Sequence, residues 1–115
     1  MTEAPAILKR KKPAALTPRS TKLLEDEGYT VARVEHYNAF TRRTADLWQF
    51  VDLLAIRRNE VLAVQVTSAA NRASRRTKIA ESEYVGKVRE AGIRIELHTW
   101  RKNGRYWEVM VEDLS

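Results

Sequence analysis

The chain has 115 residues, of which 43% are hydrophobic and 31% are charged, with 21 Lys and Arg against 15 Asp and Glu. This length suits one small domain, and the absence of cysteine excludes a disulfide scaffold, a thiol nucleophile and a thiolate zinc site. No apolar run reaches the roughly 20 residues that span a bilayer, so we expect a cytoplasmic protein with no membrane partner.

The basic excess of the chain is concentrated at its start. Within the first 22 residues one acid stands against six cations, which accounts for +5 of the net charge of +6. Such a run binds phosphate backbones by releasing counterions, although a tail that only confers solubility is an equally simple explanation. We predict a basic arm over residues 1–16 and a single domain over residues 17–115. The consecutive cations of the arm are Lys9, Arg10, Lys11 and Lys12.

The first predicted element of the domain is a helix. Thr17 followed by Pro18 is typical of an N-cap with proline at the first helical position, so the pattern predicts a helix over residues 18–27. Alternating apolar and β-branched residues then predict a strand over residues 29–37, and a short apolar run predicts another over residues 50–56.

A hairpin follows the second strand. Residues 57–60 form a polar turn, and residues 61–67 alternate as a strand does. Pairing of the two strands across this turn joins Asp52 to Gln65.

The last elements are a helix and a closing hairpin. Helical spacing of apolar residues predicts a helix over residues 74–90, and two strands are predicted over residues 93–100 and 105–111. In this second hairpin we expect Trp100 to face Trp107 as a cross-strand aromatic pair. The resulting order, αβββαββ, predicts an α/β protein with a mixed central β-sheet flanked by helices.

Asp52 interrupts an apolar run, where a buried carboxylate is costly unless a cation or a hydrogen-bond donor compensates it. Across the hairpin lies Gln65, with Thr67 on the same face of its strand. A buried Asp opposite two polar residues is the layout of a metal site that activates water for phosphodiester attack. The alternative is a structural Asp that pairs with Arg42, Arg43 or a residue of the arm.

A second basic segment lies inside the predicted domain. Residues 69–79 contain no acid, whereas a solvated helix face usually mixes both signs of charge. We therefore expect this segment to face the phosphates of nucleic acid. Its cations are Arg72, Arg75, Arg76 and Lys78.

Several segments together carry a resemblance to a known family. They are Leu-Leu-Glu-Asp-Glu-Gly-Tyr, Val-Ala-Arg-Val, Val-Asp-Leu-Leu-Ala-Ile, Leu-Ala-Val-Gln-Val-Thr-Ser and the basic helix that follows. In this order they resemble the PD-(D/E)XK nucleases, in the branch of archaeal Holliday-junction resolvases and small phage nucleases, over about residues 17–111. The resemblance implies a restriction-endonuclease-like three-layer fold, DNA as the partner, branched or not, and Mg²⁺ or Mn²⁺ as the cofactor.

The resemblance also implies roles for the hairpin residues. Asp52 matches the metal-binding Asp of the family, Gln65 takes the place of the second acid, and Thr67 takes the place of the lysine. In the family the two acids and an intervening backbone carbonyl, here that of Val66, hold the metal, and the lysine steadies the attacking water. Because Gln is neutral and Thr supplies no cation, we expect weaker metal binding and weaker water activation here.

Neighbouring charges could complete this divergent site. Lys78 or Arg75 of the basic helix could replace the lysine, since the chemistry needs only a positive group near the water. Asp46 or Glu25 could restore the negative charge. Two functions stay open: a metal-dependent endonuclease resembling a resolvase, and a catalytically silenced nuclease fold that binds DNA or protein. The sequence also leaves open whether the chain forms a homodimer.

Overall fold

The computed structural model describes residues 16–115, so the predicted basic arm, with Lys9 to Lys12, lies almost entirely outside the described residues. The described residues form three α-helices, and none of these is long and apolar enough to cross a membrane. The elements are α1 (Leu16–Asp26), β1 (Thr30–Arg33), β2 (His36–Asn38), β3 (Arg43–Ala45), β4 (Leu53–Arg57), β5 (Glu60–Ser68), a 3₁₀ turn (Ala69–Asn71), α2 (Arg72–Ala80), α3 (Val85–Glu90), β6 (Arg94–Asn103) and β7 (Tyr106–Asp113).

Five strands form one mixed sheet in the order β1-β4-β5-β6-β7. β5 and β6 run parallel, and the other neighbours are antiparallel. A parallel pair needs a crossover connection, which α2 and α3 supply here. β2 and β3 form a separate two-stranded hairpin between β1 and β4.

Helices cover both faces of the sheet. Alternation along β5 sends Leu62 and Val64 into the core beneath α1, whereas Ala63 joins the core beneath α2 and α3. The mixed α/β sheet between two helical layers, which the restriction-endonuclease-like prediction required, is therefore confirmed. The order αβββαββ holds for the main sheet once α2 and α3 are counted as one crossover.

A buried polar network attaches α1 to the sheet. The Trp100 indole N–H donates to Ser20 Oγ at 2.8 Å, and Ser20 Oγ lies 2.9 Å from His98 Nδ1. The other ring nitrogen of His98 lies 3.0 Å from a Glu96 carboxylate oxygen. Every polar group of this network has a partner, so the network orients the helix at little desolvation cost.

Three element predictions need correction. The first helix begins at Leu16, so Thr17 lies inside it and is not its N-cap. The predicted strand over residues 29–37 is two strands, β1 and β2, that belong to different sheets. The predicted helix over residues 74–90 is broken at Ser82, whose hydroxyl donates to the Trp48 carbonyl and accepts from the Tyr84 N–H. Such serine bonds to the backbone compete with helix continuation.

The aromatic pairing predicted for the last hairpin is wrong by two residues. Trp100 lies opposite Val109, and Trp107 lies opposite Lys102. The reason is that the turn lies further along the chain than expected: Asn103 pairs with Tyr106, so Gly104 and Arg105 form the turn, with Gly104 at a positive φ of 64°. Both tryptophans still contribute to the core beneath α1.

Candidate metal centre

Asp52 stands at the entrance to β4, not in the middle of a strand as predicted. Positive φ angles at Trp48 and Gln49 turn the chain sharply just before it. Its own N–H donates to the Val64 carbonyl, and its carbonyl accepts from the Val34 N–H, both at 2.9 Å. These bonds fix the backbone, so the carboxyl group is held in a buried position that leaves 5% of the residue exposed.

The predicted neighbour of Asp52 across the hairpin is in place. Gln65 Nε2 donates to Asp52 Oδ2 at 2.6 Å, and the Val66 N–H donates to the same oxygen at 2.8 Å. Gln65 is 2% exposed, and its Oε1 has no hydrogen-bond partner among the described residues. The buried Thr67 hydroxyl has no partner there either. Buried oxygens without a partner are uncommon in native proteins, and an ordered water or a cation would satisfy both of these.

Two further carboxylates meet Asp52 at this point. Glu35 precedes β2 and Asp46 follows β3, so the small hairpin brings its two ends to the site. Carboxylate oxygens of Glu35, Asp46 and Asp52 all lie within 4.8 Å of one another. Three carboxylates at this separation repel one another unless a cation or a proton intervenes.

A lysine already approaches the cluster. Lys78 Nζ of α2 lies 2.5 Å from Asp46 Oδ2, in a contact where 34% of the Lys78 side chain is exposed. Asp46 and Lys78 are thus brought to the site, as the sequence analysis allowed for each. Glu25 is not, because α1 packs against the opposite face of the sheet. Arg75 is partly buried on α2, and its Nε has no partner among the described residues.

Burial raises the pKa of Asp52 to about 7. The hydrogen bond from the Val66 N–H opposes this change, and the nearby charges of Asp46 and Glu35 add to it. At neutral pH the cluster therefore exchanges a proton readily. A bound divalent cation would compensate the same charges that this proton compensates.

The residues fit a hard cation. Mg²⁺ and Mn²⁺ prefer carboxylate oxygens, and the cluster supplies three carboxylates. Glu35 and Asp46 thus add negative charge beside the neutral pair of Gln65 and Thr67.

Most cations of the basic segment, residues 69–79, already pair with carboxylates of the protein, which the sequence did not indicate. Glu112 of β7 accepts a hydrogen bond from Arg72 Nε at 2.8 Å and lies 3.4 Å from Arg76 Nε. With Lys78 on Asp46, three of its cations already have carboxylate partners within the protein. Residues Lys9, Arg10, Lys11 and Lys12, also predicted to contact DNA, lie outside the described residues.

Glu35 is the site residue that the sequence analysis missed. A single strand over residues 29–37 would place it at an ordinary alternating position. The turn at Asn38, where the side chain accepts backbone N–H groups, is a local pattern that could have revealed the hairpin and the return of the chain.

No family model and no curated protein matches this chain. Among solved structures, it is similar to Hjc of Archaeoglobus fulgidus, a Holliday junction resolvase from an archaeal hyperthermophile. The two share 17% sequence identity over 86% of this chain and 71% of that one, with a TM-score of 0.48. The side chains of the present protein, and not this likeness, carry the functional conclusion below.

Proposed function

We propose that the protein is a metal-dependent DNA endonuclease whose active site is the cluster of Glu35, Asp46 and Asp52. One observation carries the proposal: carboxylate oxygens of these three residues converge within 4.8 Å of one another. Asp52 is buried, while Glu35 and Asp46 are partly exposed and pair with Arg33 and Lys78. A buried carboxylate beside two more carboxylates costs stability, and proteins accept such a cost mainly at functional sites.

Mg²⁺ or Mn²⁺ would be held by the three carboxylates, with the Val66 carbonyl as a further candidate ligand. Gln65 would add its Oε1 only after its amide group rotates, because Nε2 is the atom that faces Asp52. When bound, such an ion polarises a phosphodiester and lowers the pKa of a coordinated water. The protein's own contribution is to hold the buried Asp52 carboxylate in place through the Val66 N–H and the backbone bonds of Asp52.

Lys78 is the best candidate for the positive group of the site. Its ammonium group already lies at the edge of the cluster, on Asp46, and it comes from a helix, which is a rigid support. An ammonium group in this position stabilises negative charge that develops on a phosphate oxygen during attack. Lys78 would thus take the role that the resemblance assigns to the position of Thr67.

DNA binding is supported by charge. The chain carries a net charge of +6, and α2, the helix that brings Lys78 to the cluster, also carries Arg75, whose Nε has no partner among the described residues. Cations of this kind attract the phosphate backbone and position it without reading bases.

A specific observation favours a second function, a silenced nuclease fold that binds DNA or a protein. Asp52 already accepts two hydrogen bonds, and Asp46 already pairs with Lys78. These contacts compensate part of the charge without any metal. A protein that has lost catalysis needs such compensation to keep its fold.

Cleavage assays separate the two functions. Supercoiled plasmid and a four-way branched DNA are incubated with the full chain in Mg²⁺, Mn²⁺ or EDTA. We expect cleavage with either metal, none in EDTA, at least a hundredfold loss in Asp52→Asn, and a gain in Gln65→Glu, because a negative oxygen strengthens metal binding. The control is Glu90→Gln, an exposed acid at the end of α3, outside the cluster. DNA binding without cleavage under every condition would reject the endonuclease and support the silenced fold.

A further inference from the structure

The β2–β3 hairpin is the most exposed element of the described chain. Every residue from 36 to 45 is exposed. Phe40 at its tip is 96% exposed and Tyr37 is 61% exposed. Leaving a whole phenylalanine side chain in water forfeits the free energy that burial would supply, so an aromatic tip of this kind is typical of a contact surface.

The tip is held in a defined conformation. Asn38 Oδ1 accepts the N–H groups of Phe40 at 2.8 Å and Thr41 at 3.3 Å, and the Arg42 N–H donates to the Asn38 carbonyl at 2.8 Å. Arg42 adopts a positive φ of 57° to close the turn. The backbone that carries Phe40 is therefore ordered before any partner arrives, which lowers part of the ordering cost of binding.

The charge of the hairpin favours a polyanion as the partner. Residues 36–45 contain no acid, and they include Arg42 and Arg43. In the described part of the chain, the ion pairs involve neither of these arginines. Exposed aromatic rings beside unpaired arginines are the combination that stacks on bases while contacting the phosphate backbone.

The hairpin also projects from the proposed active site. It begins one residue after Glu35 and ends one residue before Asp46. Phe40 lies five positions after Glu35 in the sequence, and an extended chain spans at most about 3.6 Å per position. The tip thus reaches no more than about 18 Å, or about five base steps at roughly 3.4 Å each.

We propose that the β2–β3 hairpin stacks Phe40 on an unpaired base of DNA within about five nucleotides of the phosphate at the carboxylate cluster. The inference rests on the proposed function and deepens it. Base faces inside a duplex are already stacked, so a protruding ring gains a partner only where a base is unpaired or a strand is interrupted. The preferred substrate is accordingly DNA with an unpaired base and not a continuous duplex.

The test compares two DNAs in EDTA, where no cleavage can occur. One is a continuous duplex, and the other carries a single unpaired 2-aminopurine, whose fluorescence falls when an aromatic ring stacks on it. We expect the full chain to prefer the second DNA and to quench its fluorescence. Phe40→Ala should reduce this preference by about 5- to 100-fold and remove the quenching, with duplex affinity unchanged.

Two variants control the experiment. Phe40→Trp keeps an aromatic ring and should retain preference and quenching. Tyr106→Ala removes an aromatic residue that is 71% exposed at the other hairpin and should change neither. Equal affinity of the parent for both DNAs, or preference and quenching that survive Phe40→Ala, would overturn the inference.

The outcome is separable from that of the cleavage assay. A chain that stacks on the unpaired base but never cleaves DNA retains this inference and loses the endonuclease function. A chain that cleaves DNA without any Phe40-dependent preference retains the function and loses this inference.

Discussion

Asp52 links the proposed chemistry to the pH dependence of stability. Its pKa rises from an ordinary 3.8 to about 7, mainly because it is buried. Between these values the folded state binds more protons than the unfolded state, so the free energy of unfolding falls as pH rises. A pKa difference of about three units between the folded and unfolded states changes the free energy of unfolding by at most about 4 kcal/mol.

We therefore expect the metal-free protein to melt at a lower temperature at pH 8 than at pH 5. Asp52→Asn should remove most of this difference, because the amide stays neutral and its carbonyl oxygen can still accept the Val66 N–H. Thermal melts in EDTA at both pH values measure the effect, with Glu90→Gln as the control. An unchanged pH dependence in Asp52→Asn would show that other groups cause it.

At the scale of single residues, the sequence predicts part of the site. Period-two alternation and a short turn are enough to place Asp52 beside Gln65, because both are local properties of a hairpin. The pair of Lys78 and Asp46 joins residues 32 positions apart. Their charges make each residue a candidate for the site. That the two meet depends on the packing of α2 beside the small hairpin, which local sequence patterns do not reveal.

At the scale of elements, Glu112 controls how many cations α2 offers. It accepts a hydrogen bond from Arg72, which holds the pKa of the Glu112 carboxyl below its ordinary value, and it also approaches Arg76. If α2 faces DNA, the protein should bind DNA more tightly when the guanidinium groups of Arg72 and Arg76 no longer pair with Glu112.

Glu112→Gln should accordingly raise DNA affinity and steepen its salt dependence by about 0.9 for each cation that gains a phosphate. The matched control is Glu108→Gln on the same strand, which changes the net charge equally and releases Arg101 of β6 instead. Anisotropy titrations over a range of salt concentrations measure both variants. Equal gains in the two variants would mean that net charge acts and that α2 does not face the DNA.

The elements themselves differ in how well the sequence predicts them. β4 and β5 have buried, apolar residues, and their hairpin is predicted within a few residues. β2 and β3 have three residues each and no buried position, so they carry no hydrophobic periodicity to detect. The break at Ser82 depends on a carbonyl 34 residues away and is equally invisible to local patterns.

At the scale of the whole molecule, the order of elements predicts the architecture better than any boundary. Two hairpins and a helical crossover dictate a mixed sheet, since only the crossover can join parallel neighbours. The same topology places Asp52 and Gln65 on one face and Ser20 with His98 on the other. Chemistry and helix docking are thereby separated by the sheet.

The small hairpin is central to the proposed function. It interrupts the path from β1 to β4, supplies Glu35 and Asp46 at its ends and carries Phe40 at its tip. The negative charge around Asp52 thus comes from outside the main sheet.

Manganese binding at Glu35 tests this account most directly. Free Mn²⁺ is measured by electron paramagnetic resonance during titration of the full chain at pH 8, where Asp52 is mostly ionised. We expect about one ion bound per chain, at least tenfold weaker binding in Glu35→Gln and no change in Glu90→Gln. Absence of binding by the parent chain, or equal binding by Glu35→Gln, would contradict a metal site built from the three carboxylates.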